Sequence, residues 1–154
     1  MRNASIALVL AALVGCGGSS SSTTTTETAE TTSSGSEAQP SFAQITVDEV
    51  ATAISAADGR VAVFDANSRE TYDQNHVPGA TWVDYDAVTA EQLPADRSTQ
   101  LVFYCANEQC SASHVAAETA SGLGYTNVAV MGAGIQGWIA AGKPVEGAGA
   151  PAAE

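Results

Sequence analysis

Leu101-Val102-Phe103-Tyr104-Cys105-Ala106-Asn107-Glu108-Gln109-Cys110-Ser111-Ala112-Ser113-His114 is the stretch from which the fold follows. A short apolar run ends on a cysteine, a polar loop follows, and a second cysteine precedes an alanine-rich segment. The pattern predicts strand, loop and helix, with a thiol where the loop leaves the strand. Backbone N–H groups at a loop and helix start stabilise negative charge. A thiol held there is a better thiolate than a free cysteine. The amides of Ala106, Asn107, Glu108, Gln109, Cys110 and Ser111 are thus the expected cradle for an anionic sulfur on Cys105.

The flanking sequence alternates in the same manner. Thr46-Val47-Asp48-Glu49 has capping-box form, and Val50, Ala53 and Ile54 continue a helical pattern that Asp58-Gly59 ends. Val61-Ala62-Val63-Phe64 is a continuous apolar run of the buried-strand type. Residues 68–73 predict a short helix, Val77-Pro78-Gly79-Ala80 a turn, and Thr81-Trp82-Val83 a short strand. Residues 111–123 predict a helix closed by Gly124, residues 127–131 a strand, and residues 134–141 a helix stopped by Gly142 and Pro144. Such alternation implies an α/β domain with a mainly parallel sheet. Ligands of these sheets sit at the carboxyl ends of strands, where both Asp65 and Cys105 lie. Trp82 and Trp138 are expected to pack helices on the sheet, and Gly132-Ala133-Gly134 to form a tight turn.

The ends of the chain are of another kind. Residues 1–15 have a positive start at Arg2 and a short apolar core, as a signal peptide does. Leu13-Val14-Gly15-Cys16 resembles the lipobox of bacterial lipoproteins, which implies cleavage before Cys16 and a lipid on its sulfur. An ordinary secretory signal is the alternative. Either implies export, and the lipid would anchor the chain to a bacterial membrane on the periplasmic side or the cell surface. Residues 16–40, rich in Ser and Thr, predict a disordered tether, residues 41–146 one domain, and residues 147–154 a frayed tail. The chain has 17 acidic and 5 basic residues, a formal charge of −12. That balance excludes nucleic acid and electrostatic adhesion to anionic lipid, and a monomer is expected.

Three ordered segments carry a family likeness. The first is Val63-Phe64-Asp65-Ala66-Asn67 with Glu70-Thr71-Tyr72 and His76-Val77-Pro78-Gly79-Ala80. The second is Tyr104-Cys105 with its loop. The third is Gly124-Tyr125-Thr126-Asn127-Val128 followed by Met131, Gly132, Gly134, Ile135, Trp138, Ala141, Gly142 and Pro144. Together they resemble the rhodanese family over nearly the whole domain. The resemblance implies a five-stranded, mostly parallel sheet with helices on both faces. It also implies a sulfurtransferase in which Cys105 holds sulfane sulfur as a persulfide and passes it to a thiophilic acceptor. The partners would be a small sulfur donor and a thiol or protein acceptor, with no metal or organic cofactor.

Related phosphatases need one more loop residue and an arginine after it. Here the position six after Cys105 is Ser111, and no arginine follows in the helix. Phosphoryl transfer would lack its cation. The loop also departs from family members active on thiosulfate. Glu108 stands where glycine is frequent and Cys110 where arginine is frequent, while Asp65-Ala66-Asn67 replaces Asp-Val-Arg with Arg69 close by. A carboxylate in the loop raises the thiol pKa and weakens dianion binding. A neutral or protein-bound donor, or a disulfide, then becomes the expected substrate.

Four side chains around Cys105 have competing roles. Cys110 is a resolving thiol, a disulfide partner of Cys105, or a small buried residue at a helix start. His114 is a base facing the loop or a packed residue. Asp65 is expected to accept hydrogen bonds from the loop amides, and Arg69 to lend nearby charge. Cys105, Cys110 and His114, with Met131 as a distant fourth group, match no zinc pattern. The rival to the sulfurtransferase is a non-catalytic module that binds a partner or senses redox state through Cys105 and Cys110.

Overall fold

The computed structural model describes residues 41–150. The signal segment, Cys16, the tether and residues 151–154 lie outside the described residues. In chain order the elements are β1 (Ala43–Gln44), α1 (Val47–Ala56), β2 (Val61–Asp65), α2 (Arg69–Gln74), β3 (Thr81–Trp82), β4 (Gln100–Tyr104), α3 (Ala112–Gly122), β5 (Val128–Val130) and α4 (Gly134–Ala140). The strands form one five-stranded sheet in the order β1-β5-β4-β2-β3. All four pairings are parallel, so the sheet is more uniform than the mostly parallel one expected.

Local chemistry explains where the elements begin. Thr46 caps α1 reciprocally with Glu49: its hydroxyl accepts from the Glu49 N–H at 3.3 Å, and its own N–H donates to Glu49 Oε2 at 2.8 Å. The helix ends at Ala56, two residues before Asp58, with Ala57 in the left-handed region at φ 47°. Ser68 caps α2 by accepting from the Thr71 N–H.

Alternate residues along the strands feed two cores, because successive side chains point to opposite faces. Ala62, Phe64, Leu101, Phe103, Cys105 and Val130 pack with Ala116, Ala117 and Ala120 of α3. Val63, Val102, Tyr104, Ala129 and Met131 pack with Val50 of α1 and Ile135 and Trp138 of α4. Helices therefore cover both faces. Trp138 is buried in the second core, with its indole N–H donating to the Pro144 carbonyl at 2.7 Å.

The start of the expected tail is hydrogen-bonded to the 73–76 segment. His76 and Glu146 exchange backbone hydrogen bonds of 2.8 and 2.9 Å, and the N–H groups of Ala148 and Gly149 donate to Asp73 and Gln74 at 2.8 Å each. These bonds satisfy carbonyls left over at the carboxyl end of α2, a demand that composition does not reveal. Gly147 makes the crossing possible, since at φ 121° its missing side chain leaves room for the Gln74 carbonyl.

Candidate functional site

The Cys105 loop is fastened by its carbonyls. The Ile135 N–H donates to the Cys105 carbonyl at 2.9 Å, and the Gln136 N–H to that of Ala106 at 3.0 Å. Close approach of α4 requires Gly134, which sits at φ 62° and whose Cβ would come within 2.5 Å of the Ala106 backbone. Asn107 closes the rest of the loop. Its carbonyl accepts from the Cys110 N–H at 3.0 Å, its side-chain oxygen from the Gln109 N–H at 3.1 Å, and its amide donates to Gln136 at 3.0 Å. Of the amides expected to cradle sulfur, those of Gln109 and Cys110 are thus spent within the loop. Among the described residues no acceptor is found for those of Ala106, Asn107, Glu108 and Ser111.

Cys105 and Cys110 are joined as a disulfide, with Cα atoms 6.2 Å apart. That separation lies inside the range of about 4.4–6.8 Å that a bridge needs. The two sulfurs have unequal surroundings. Cys105 is 1% exposed and belongs to the α3-side core, whereas Cys110 is half-buried at its edge. Cys105 Sγ lies 3.1 Å from the Cys110 carbonyl oxygen and 3.3 Å from Ser113 Oγ. In the reduced state the carbonyl can accept from the S–H form, and the Ser113 hydroxyl can donate to the thiolate. Ser113 is 2% exposed. Sequence reasoning passed over it, yet a signal was there: Ser113, Ala116, Ala117 and Ala120 fall on one inward stripe of α3, and one is polar.

Asp65 does not hold the Cys105 loop. Its side chain points to the other face of the sheet, because Asp65 stands opposite Tyr104 in register while Cys105 comes one residue later. There Asp65 Oδ2 accepts from the Tyr104 hydroxyl at 2.6 Å, and Oδ1 accepts from the Asn67 N–H at 2.8 Å and its side-chain amide at 2.7 Å. The Tyr104 hydroxyl in turn accepts from the Val77 N–H at 3.0 Å. Burial pushes the Asp65 carboxyl above the usual carboxylate range, against the opposing pull of the hydrogen bonds from Tyr104 and Asn67. Burial and then the Asp65 charge push the Tyr104 phenol up as well. His76 stacks on Tyr72 at 4.0 Å between ring centres, and its Nε2 lies 3.6 Å from Glu146. This is a brace beneath the strand ends.

Among the described residues neither the Arg69 nor the His114 side chain hydrogen-bonds a cysteine sulfur. Arg69 pairs with Asp73 at 2.9 Å and lies over the rings of Tyr72 and Trp82, 5.5 and 5.4 Å from their centres. It lines a cavity of about 360 Å³ whose wall includes Ala66, Trp82, Asp84, Tyr85 and Cys110. Trp82, expected to pack a helix on the sheet, is half-buried and belongs to neither core; it walls this cavity, with its indole N–H donating to the Asn67 carbonyl at 2.9 Å. His114 opens instead on a separate cavity of about 490 Å³ with Glu108, Gln44 and Gly132. A larger space of about 600 Å³ lies at the opposite, amino ends of β2 and β4, between Asp58, Arg60, Asp96 and Gln100. Among the described residues no cluster of His, Cys, Asp and Glu side chains converges as a metal site would.

The family model of the Rhodanese-like domain matches residues 46–141. Among solved structures, a protein from Bacillus halodurans is similar with a TM-score of 0.65 at 21% identity, covering 73% of this chain and 82% of that one. Thiosulfate sulfurtransferase from Pseudomonas aeruginosa gives 0.58 at 24% identity over 72% of this chain, which spans only 20% of that longer protein. A Rhodopseudomonas palustris protein of unknown function, a possible tyrosine phosphatase, gives 0.57 at 24% identity over 71% of this chain and 89% of that one. Identities this low show a shared fold. No curated protein matches the chain.

Proposed function

The chain belongs to the rhodanese-like domain family, and from that premise we propose that its reduced form is a sulfurtransferase with Cys105 as the sulfur carrier. The observation that carries this function is the setting of Cys105: at the end of β4, 1% exposed, with the Ser113 hydroxyl 3.3 Å from its sulfur. The Cys105 thiolate attacks the outer sulfur of a donor, the donor's sulfur–sulfur bond breaks, and a persulfide remains on Cys105. An acceptor thiolate then takes the outer sulfur and regenerates Cys105. The donor suited to this loop is neutral or protein-bound, because Glu108 repels a dianion and no basic side chain lies between Cys105 and Ser111. The same lack of a cation weighs against phosphoryl transfer.

The alternative is a non-catalytic module that binds a partner or reports redox state. The Cys105–Cys110 disulfide favours it, since oxidation removes the carrier thiol. Intact mass separates the two. The fully reduced chain is offered thiosulfate, polysulfide and a thiosulfonate. A gain of one sulfur, abolished in Cys105→Ser and removed by cyanide, is the expected result. Identical masses for wild type and Cys105→Ser with all three donors would leave only the alternative.

A further inference from the structure

The two ends of the disulfide differ in exposure: Cys105 is buried in the core and Cys110 is half-buried. We propose that the cavity bordered by Arg69, Trp82, Tyr85 and Cys110 admits a thiol that exchanges with the disulfide by attacking Cys110 and expelling Cys105. Displacement at sulfur depends on which sulfur is accessible and on how well the other one leaves. The nucleophile must approach on the side away from the departing sulfur. For Cys105 that side is the packed core, with Phe64, Phe103 and Ala116 in its cluster and 1% of the residue exposed. Cys110 forms part of the wall of a cavity of about 360 Å³, room enough for a small thiol or one cysteine side chain. The same cavity carries the guanidinium of Arg69 and the carboxylate of Asp84, so it has no strong bias of charge, and Trp82, Tyr85 and Ala66 add apolar surface. An uncharged thiol fits it.

The leaving side is equally well defined. Ser113 Oγ lies 3.3 Å from Cys105 Sγ and has no other side-chain partner among the described residues, so its proton can meet the negative charge that forms there. The incoming thiolate bonds to Cys110 Sγ as the Cys105–Cys110 bond breaks. The electron pair departs on Cys105 Sγ, which equilibrates with solvent protons. A second thiolate attacks the external sulfur of the Cys110 adduct and frees Cys110. Two external thiols become one disulfide, and the cysteine pair gains two electrons. Exchange would supply the Cys105 thiol that sulfur transfer uses, but it does not depend on that transfer. A reduced chain that takes up no sulfur would remove the proposed sulfurtransferase and leave the exchange intact.

The test is to treat the oxidised chain with limiting 2-mercaptoethanol, and in a second arm with an unstructured single-cysteine peptide. Acid quenching, alkylation and peptide mapping then locate the adduct. The expected product carries the added thiol on Cys110 and the alkyl group on Cys105. Reaction in both arms means that a protein cysteine can serve, and reaction in the first alone restricts the partner to small thiols. An adduct on Cys105, an even distribution, or a chain whose cysteines alkylate before any thiol is added would overturn the proposal. Where the adduct turns over too fast to map, Ser113→Ala decides. Its exchange is expected to be about five-fold slower, because a less stabilised leaving thiolate departs more slowly. An unchanged rate, with a folded variant by circular dichroism, would overturn Cys105 as the leaving sulfur.

Discussion

Asp65 and Cys105 leave the sheet at the same carboxyl ends and on opposite faces. On the α1–α4 face every polar atom of the Asp65–Tyr104 pair has a fixed partner, reaching Asn67 on one side and Val77 on the other. On the α3 face the sulfur of Cys105 meets one hydroxyl, one carbonyl and an exchangeable bond, with a cavity beyond Cys110. The difference teaches that a buried carboxylate beside a nucleophile in sequence need not serve it. A closed network costs most when one member is removed, because its neighbours stay buried and unpaired. An open one leaves room for chemistry.

The sharpest way to break that contrast is Asp65→Ala. It strands the Tyr104 hydroxyl and the Asn67 amides, and we expect a loss of about 3 kcal/mol in urea unfolding. Sulfur loading per folded molecule is expected to persist, because among the described residues the Asp65 side chain hydrogen-bonds Asn67 and Tyr104 and not the cysteine loop. Loading that vanishes while stability holds would mean that the two faces act as one site.

Gly134→Ala probes a place where the cysteine loop is fastened to α4. Its Cβ would press on the Ala106 backbone at 2.5 Å from a φ of 62°, and the loop must yield. Left-handed backbone and overpacking together predict a loss of about 2 kcal/mol. Unlike Asp65→Ala, this change should also slow persulfide formation on Cys105, measured by intact mass at matched folded fraction. Normal loading would mean that the loop's fastening to α4 is unimportant to its chemistry.

Much of this contrast was legible in the chain and part was not. The apolar runs at residues 61–64 and 101–104 announced central strands because both their faces are buried. β1 carried no such signal: it is two exposed residues on the sheet edge, held by pairing with β5. Cys105 and Cys110 stood out by residue type and spacing, but their bridging depends on a Cα separation that only the folded loop sets. The misplacement of Asp65 has a simple cause. A strand-end position shows that a residue is near the loop, but only its parity along the strand shows which face it points to. Arg69 and His114 were near the loop in sequence or spacing, yet they face different cavities.

The smallest effect is a slope, and it addresses the brace alone. Burial raises the Asp65 carboxyl above its ordinary value of about 3.9, so the native chain holds that proton more tightly than the unfolded chain does. Stability from this group is fully present below the unfolded pKa and is lost as pH rises through the folded one. Glu49 and Asp96 act with the opposite sign, since hydrogen bonds from Thr46 and Ser98 hold them below the usual range. Asp65→Asn keeps the shape, removes one titration and leaves those two in place. Urea unfolding of both proteins across a pH series is therefore compared as wild type minus variant. That difference is expected to be largest at acid pH and to fall toward neutrality, then level off. Parallel curves would mean that Tyr104 and Asn67 fully offset the burial of the charge, leaving the brace with no proton linkage to folding.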